Sequence, residues 1–145
     1  MTSQLNASQS GILVKTLTGE IKTFPSIGFG LVDVRDVAEA HLIALENPQA
    51  VGKRFGQFDF FVDDFNRLIC FSKSISWKGL AQEMKRQFPG YPITVEEDLE
   101  PTTWTMDVSP LLELGKTQWI PFEQMIKDTV EGFIKVGVVK DLTIK

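Results

Sequence analysis

Gly30-Leu31-Val32-Asp33-Val34-Arg35-Asp36-Val37-Ala38-Glu39-Ala40-His41 passes from one periodicity to another. Leu31 to Val34 is short and rich in β-branched residues, which predicts a strand. Asp36, with Glu39 three residues on, has the spacing of an acidic N-cap and its capping-box partner. The helix it opens is expected to run from Val37 to about Glu46, with Val37, Ala40, His41 and Ala44 on one face. Asn47-Pro48 ends it, because the residue before a proline avoids the helical region.

Working outward, Asn6 to Thr18 predicts a helix with Ile12, Leu13, Thr16 and Leu17 on one face and Gly19 as its stop. A loop over Glu20 to Gly30 carries Pro25, Gly28 and Gly30. Lys53 to Gln57 fits a second strand. Ser76 is placed to cap a helix from Trp77 to Phe88, with Leu80, Ala81, Met84 and Phe88 inward and Pro89-Gly90 ending it. Tyr91 to Met106 reads as extended chain or loop, with a solvated acidic run at Glu96-Glu97-Asp98. Ser109-Pro110 predicts a short helix with serine at the cap and proline at the first helical position, closed by Gly115. Pro121 to Val136 is the strongest helix: Phe122, Met125, Ile126, Val130, Phe133 and Ile134 recur at helical spacing, and Gly137 is its C-terminal cap. The fold class is α/β, helices with a few short strands, and so few strands are thin for a self-sufficient sheet.

The chain has 145 residues, 43% hydrophobic and 23% charged, the balance of a globular protein. A net charge of −4 with no Lys/Arg cluster argues against a nucleic-acid partner or an anionic membrane surface. Cys70, the single cysteine, cannot form an internal disulfide, so nothing implies an oxidising compartment. Met1 to Gly11 has no charged start followed by an apolar run, and no apolar stretch approaches the roughly 20 residues of a membrane-spanning helix. The expected location is cytoplasmic.

Catalytic constellations are scarce. Gly28-Phe29-Gly30 lacks the third glycine of a turn that brings backbone N–H groups to a pyrophosphate. Tyr91, the sole tyrosine, has Val95 rather than lysine one helical turn on, so no tyrosine acid with a neighbouring lysine can be built. His41 on a helix face reads as a packed or half-exposed side chain, since a metal site needs several ligands. Cys70 reads as a buried structural thiol. No catalytic residue and no metal ligand is assigned.

The quoted segment resembles the F-V-D-V-R-D-V-A-x-A-H string of the extended short-chain dehydrogenase/reductases (the NAD-dependent epimerase/dehydratase superfamily), in particular its cinnamoyl-CoA reductase and dihydroflavonol reductase-like group. Ala44-Leu45-Glu46-Asn47-Pro48-x-Ala50-x-Gly52-Lys53-Arg54-Phe55 is similar to the group's A-L-E-x-P-x-A-x-G-x-R-(Y/F) run. Leu5-Asn6-Ala7-Ser8, Ser76-Trp77, Phe88-Pro89 and the run from Pro121-Phe122-Glu123 to Glu131 resemble further segments, in family order.

The resemblance implies the C-terminal, substrate-binding part of a Rossmann-type reductase, spanning residues 1–145. It implies hydride transfer from NADPH to a carbonyl of a phenylpropanoid-type aldehyde, ketone or CoA thioester. The cofactor-binding half with its glycine-rich turn and Tyr/Lys pair matches no position here. The chain is therefore expected to be a fragment that is inactive and does not bind NADP alone, or one that pairs with a separate cofactor-binding half. A non-catalytic interaction protein derived from the same lobe is the alternative.

By the same resemblance, Pro25, Ser26, Phe29 and Gly30 match the loop that lines the substrate pocket, where an apolar ring would shape a cleft for an aromatic substrate. An ordinary surface loop is the competing assignment. Asn6 and Ser8 match a segment near the cofactor, with helix capping as the competing role. Arg35 and Asp36 look structural, as an N-cap and its neighbour. One departure stands out: the stretch 57–70 is long for a connection inside a compact domain and carries Phe58, Phe60, Phe61 and Phe65. Phe58, Phe61, Val62, Phe65, Leu68 and Ile69 fit a helical stripe. It is either a lid or partner-binding helix, or translated non-coding sequence.

Overall fold

A computed structural model describes residues 9–23, 28–55, 67–68, 70–94 and 105–142. In chain order the elements are α1 (Gln9–Leu17), β1 (Gly28–Leu31), α2 (Val34–Glu46), a 3-10 turn (Pro48–Ala50), β2 (Arg54–Phe55), β3 (Arg67–Leu68), β4 (Lys73–Ser76), α3 (Trp77–Gln87), α4 (Ser109–Glu113) and α5 (Phe122–Lys135). Among the described residues the strands form two small sheets, β1 beside β4 and β2 beside β3. The second pair is parallel, Arg54 opposite Arg67 and Phe55 opposite Leu68. Helices with a few short strands are thus the observed class.

The residues group into two compact units. The first comprises Met1–Phe29, Ile75–Thr103 and Phe122–Lys145, and the second Gly30–Ser74 and Trp104–Pro121.

In the first unit, α3 packs on α5. Their stripes, Leu80, Ala81 and Met84 on one helix and Phe122, Met125, Ile126 and Val130 on the other, are buried as the helical spacing requires. Phe88 and Tyr91 follow α3 and meet edge to face, ring centroids 6.3 Å apart. The Tyr91 hydroxyl donates to the Lys140 carbonyl at 2.7 Å, which ties down the chain after α5. Ser76 caps α3: its Oγ accepts from the Gly79 N–H at 2.9 Å. Ser76→Ala is expected to lower stability by about 1 kcal/mol, and Ser76→Thr by much less, in urea unfolding.

In the second unit, Ala40, Ala50, Leu111 and Leu114 form a small core, with Ile43, Ala44, Cys70 and Trp119 packed around it. Asn47 closes α2 and also caps the 3-10 turn, accepting from the Gln49 N–H at 2.9 Å. Its side-chain amide donates to the Leu114 carbonyl at 3.3 Å.

Several expectations need correction. The strand is Gly28–Leu31, not Leu31 to Val34. The helix begins at Val34 because Asp33, not Asp36, is its N-cap: the Asp33 carboxylate accepts from the Arg35 N–H at 2.8 Å. Arg35 also grips both Asp33 oxygens through its guanidinium at 2.8 Å. Asp36 is instead drawn inward by a cation distant in sequence. His41, expected packed or half-exposed, lies exposed, with Nδ1 2.7 Å from the Val37 carbonyl oxygen. Ser109 is the first residue of α4 rather than its cap; its N–H donates to the Asp107 carboxylate at 2.9 Å. Leu68, assigned to a helical stripe, is in a strand, while most of that stripe lies outside the described residues.

Candidate functional site

Of the residues assigned to the substrate wall, Phe29 and Gly30 are described, and both sit within β1 rather than in a loop ahead of a strand. Successive strand residues face opposite sides of the pleat, so the two do not share one surface. Pro25 and Ser26, like the cofactor-side Asn6 and Ser8, lie outside the described residues.

Phe29 is joined by a residue that pattern reading had not assigned to the site. Its ring stacks on Trp77, centroids 4.1 Å apart and planes 27° from parallel. Trp77 is the first residue of α3, directly after β4. The β1–β4 pairing therefore carries the two rings to the same place. Both remain half-buried. A stacked pair of this kind contributes about 0.5–1.5 kcal/mol beyond area burial.

The second unit holds a buried charge cluster. Lys116 is fully buried, and its ammonium donates to Asp36 Oδ1 and Glu39 Oε2, each at 2.8 Å, and to the Gln118 carbonyl. The other Asp36 oxygen accepts from the Ile120 N–H at 3.0 Å. The ammonium also lies 4.9 Å from the Trp119 ring centroid. Burial works to lower the Lys116 pKa, but the hydrogen bonds and charges of Asp36 and Glu39 outweigh it, so the net shift is upward. A lysine with all three donors committed has no lone pair to offer a carbonyl. The cluster ties residues 116–120 to the start of α2 and is structural.

Other titratable candidates are equally committed. The Cys70 thiol is half-buried; burial, then the Asp36 charge, pushes its pKa up and away from thiolate character. The Tyr91 hydroxyl is held by Lys140. Among the described residues no group of three or more His, Cys, Asp or Glu is arranged to hold a metal ion, and no helix is long and apolar enough to cross a membrane.

The N-termini of α2 and α3 do not fit a dinucleotide pyrophosphate. The N-terminus of α2 is covered by the Asp33 carboxylate, held well ionised by Arg35, and that of α3 by the Ser76 hydroxyl. Neither presents the open, glycine-lined amides that a phosphate requires.

Homologues of the chain are tetraketide α-pyrone and cinnamoyl-CoA reductases, matched over their C-terminal portion. Tetraketide alpha-pyrone reductase 2 of Arabidopsis thaliana is 29% identical over 132 residues, covering 88% of this chain and 35% of that protein. Cinnamoyl-CoA reductase 1 of Oryza sativa subsp. japonica is 31% identical over 130 residues, covering 87% and 34%. The fold matches yeast methylglyoxal/isovaleraldehyde reductase Gre2, solved with NADPH, at a TM-score of 0.66 and 22% identity over 90% of this chain and 40% of that one. The chain thus spans only a third to two fifths of the length of these relatives. No protein-family model matches it.

Proposed function

We propose that this chain is the substrate-side lobe of an NADP-dependent carbonyl reductase acting on aromatic, phenylpropanoid-type aldehydes, ketones or CoA thioesters. On this proposal it turns over nothing by itself. The observation that carries the proposal is the similarity to pyrone and cinnamoyl-CoA reductases along almost the whole chain, against about a third of theirs. The half-buried Phe29/Trp77 stack supports an aromatic substrate, since a planar acyl group can extend it. By resemblance to the family, Pro25 and Ser26 are assigned to the same wall as Phe29, Gly30 gives backbone beside it, and Asn6 and Ser8 are assigned to the cofactor side. The cofactor, when bound, supplies the hydride. The partner half supplies the pyrophosphate cradle and the proton donor, and this lobe orients the carbonyl compound and excludes water from it.

The test is reconstitution. The chain is mixed with the dinucleotide-binding half of a relative such as Gre2 and assayed for NADPH oxidation dependent on cinnamaldehyde. Activity in the mixture and in neither component alone is the expected result; an inactive mixture with both components folded and associated refutes it. Trp77→Ala in the active mixture should raise KM for cinnamaldehyde by about 2–10-fold, the equivalent of a lost stacking contact, while Trp77→Phe largely preserves it.

A further inference from the structure

Two helices of the first unit end in the same way. After α1, Gly19 turns at φ +73°, and the Glu20 N–H donates to the Lys15 carbonyl at 2.9 Å. After α5, Gly137 turns at φ +73°, and the Val138 N–H donates to the Phe133 carbonyl at 2.9 Å. Each is a Schellman closure, in which a left-handed glycine reverses the chain. Both chain ends arrive at one short segment after α3, Gly90 to Ile93. At the α1 end, Gly19 lies so near Pro92 that a β-carbon there would stand 2.5 Å from the Pro92 carbonyl oxygen. At the α5 end, the Tyr91 hydroxyl donates to the Lys140 carbonyl at 2.7 Å, and a β-carbon built at Gly90 would collide with the Leu142 carbonyl oxygen. Gly90 has no positive φ, so its missing side chain provides clearance rather than backbone shape.

We propose that residues 138–142 are a releasable strap. Closed, it clamps the Gly90–Ile93 segment and through that segment holds the end of α1. Open, it frees both while α3 and α5 stay folded. Val139 is the strap's buried side chain; Val138, Lys140 and Asp141 are exposed and Leu142 is half-buried. These residues belong to no helix or strand. A stretch held by so little burial opens at lower free energy than helices packed along their length. The residues it clamps are interior, Tyr91 and Ile93 both being buried. Pro92 lies between them, so slack in the segment passes directly to its carbonyl and to Gly19. Helix α1 has only 9 residues, a length that is marginal without tertiary contacts, so its last turn depends on that neighbour.

Hydrogen exchange of the full chain, resolved amide by amide, tests the strap. Val139→Ala cuts back the buried anchor and leaves the sequence of the clamped segment and of α1 unchanged. Tyr91→Phe removes the hydroxyl and keeps the ring that meets Phe88. In both variants, protection is expected to fall by at least about threefold at the amides of Val139, Ile93 and Glu20 together. The amides of Met84 in α3, Val130 in α5 and Asn47 at the end of α2 should change by less than about twofold. Val136→Ala, exposed at the close of α5, should alter none of the six. The strap is refuted if Glu20 keeps its parent protection while Val139 loses it, since the tail would then hold only itself. It is refuted equally if all six amides lose protection together, the mark of global unfolding, if none of them changes, or if Val139 is unprotected in the parent chain.

Discussion

Replacing Lys116 by alanine is expected to destabilise the protein by about 3–5 kcal/mol and to lower Tm by roughly 8–16 °C. The cause is the charge left behind, not a lost attraction. Asp36 is 2% exposed and would keep only the Ile120 N–H of its present partners. A buried carboxylate without its cation pays desolvation with little return. Glu39, at 55% exposure, regains water and loses little. The double substitution Asp36→Asn/Lys116→Met should therefore recover most of the loss, and a double-mutant cycle in guanidinium chloride reads the coupling directly. Equal destabilisation by the single and double variants would show that the cluster contributes packing alone. The pH dependence has a defined sign. The folded-state pKa of Lys116 is raised above its ordinary 10.5, so its stabilisation is fully present below that value and is lost as pH rises through the folded-state pKa.

The second large effect is expected at Gly19, just beyond α1. Its φ is +73°, where a β-carbon is strained, and a β-carbon built there would stand 2.5 Å from the Pro92 carbonyl oxygen. Gly19→Ala thus combines left-handed strain of about 1–2 kcal/mol with a backbone clash that the loop after α3 must move to relieve, and about 2–4 kcal/mol is expected in total. Gly52 provides the internal control. Its φ is +82°, but no atom lies within 4 Å of a built β-carbon, so Gly52→Ala should cost only the strain. Equal losses at the two sites, measured by urea unfolding, would show that the approach of Pro92 to Gly19 is not tight.

The contrast between these residues shows what was legible in the sequence. Helix ends signalled by nearby residues were readable: the Ser76 cap, the Asn47-Pro48 stop, and the glycines at 115 and 137, both with positive φ. The α5 stripe was readable because its period is local. Asp33 and Asp36 both suit a helix start. What decides between them is Lys116, 80 residues from Asp36, and no local pattern reports that pairing. The Phe29/Trp77 stack was hidden for the same reason. Both residues lay in segments that resembled the family, yet only the pairing of β1 with β4 brings the rings together. His41 shares a helix face with Ala40 and Ala44, which suggests a packed or half-exposed side chain, whereas it lies exposed.

On the proposed function the chain supplies the substrate wall, while the dinucleotide cradle and the proton donor come from a separate half. The most direct measurement is calorimetric titration of the purified chain with NADPH, followed by a turnover assay with cinnamaldehyde before any partner is added. No saturable heat and no consumption of NADPH are expected, with consumption beginning only once a dinucleotide-binding half is supplied. Saturable binding together with steady oxidation by the chain alone would contradict the account.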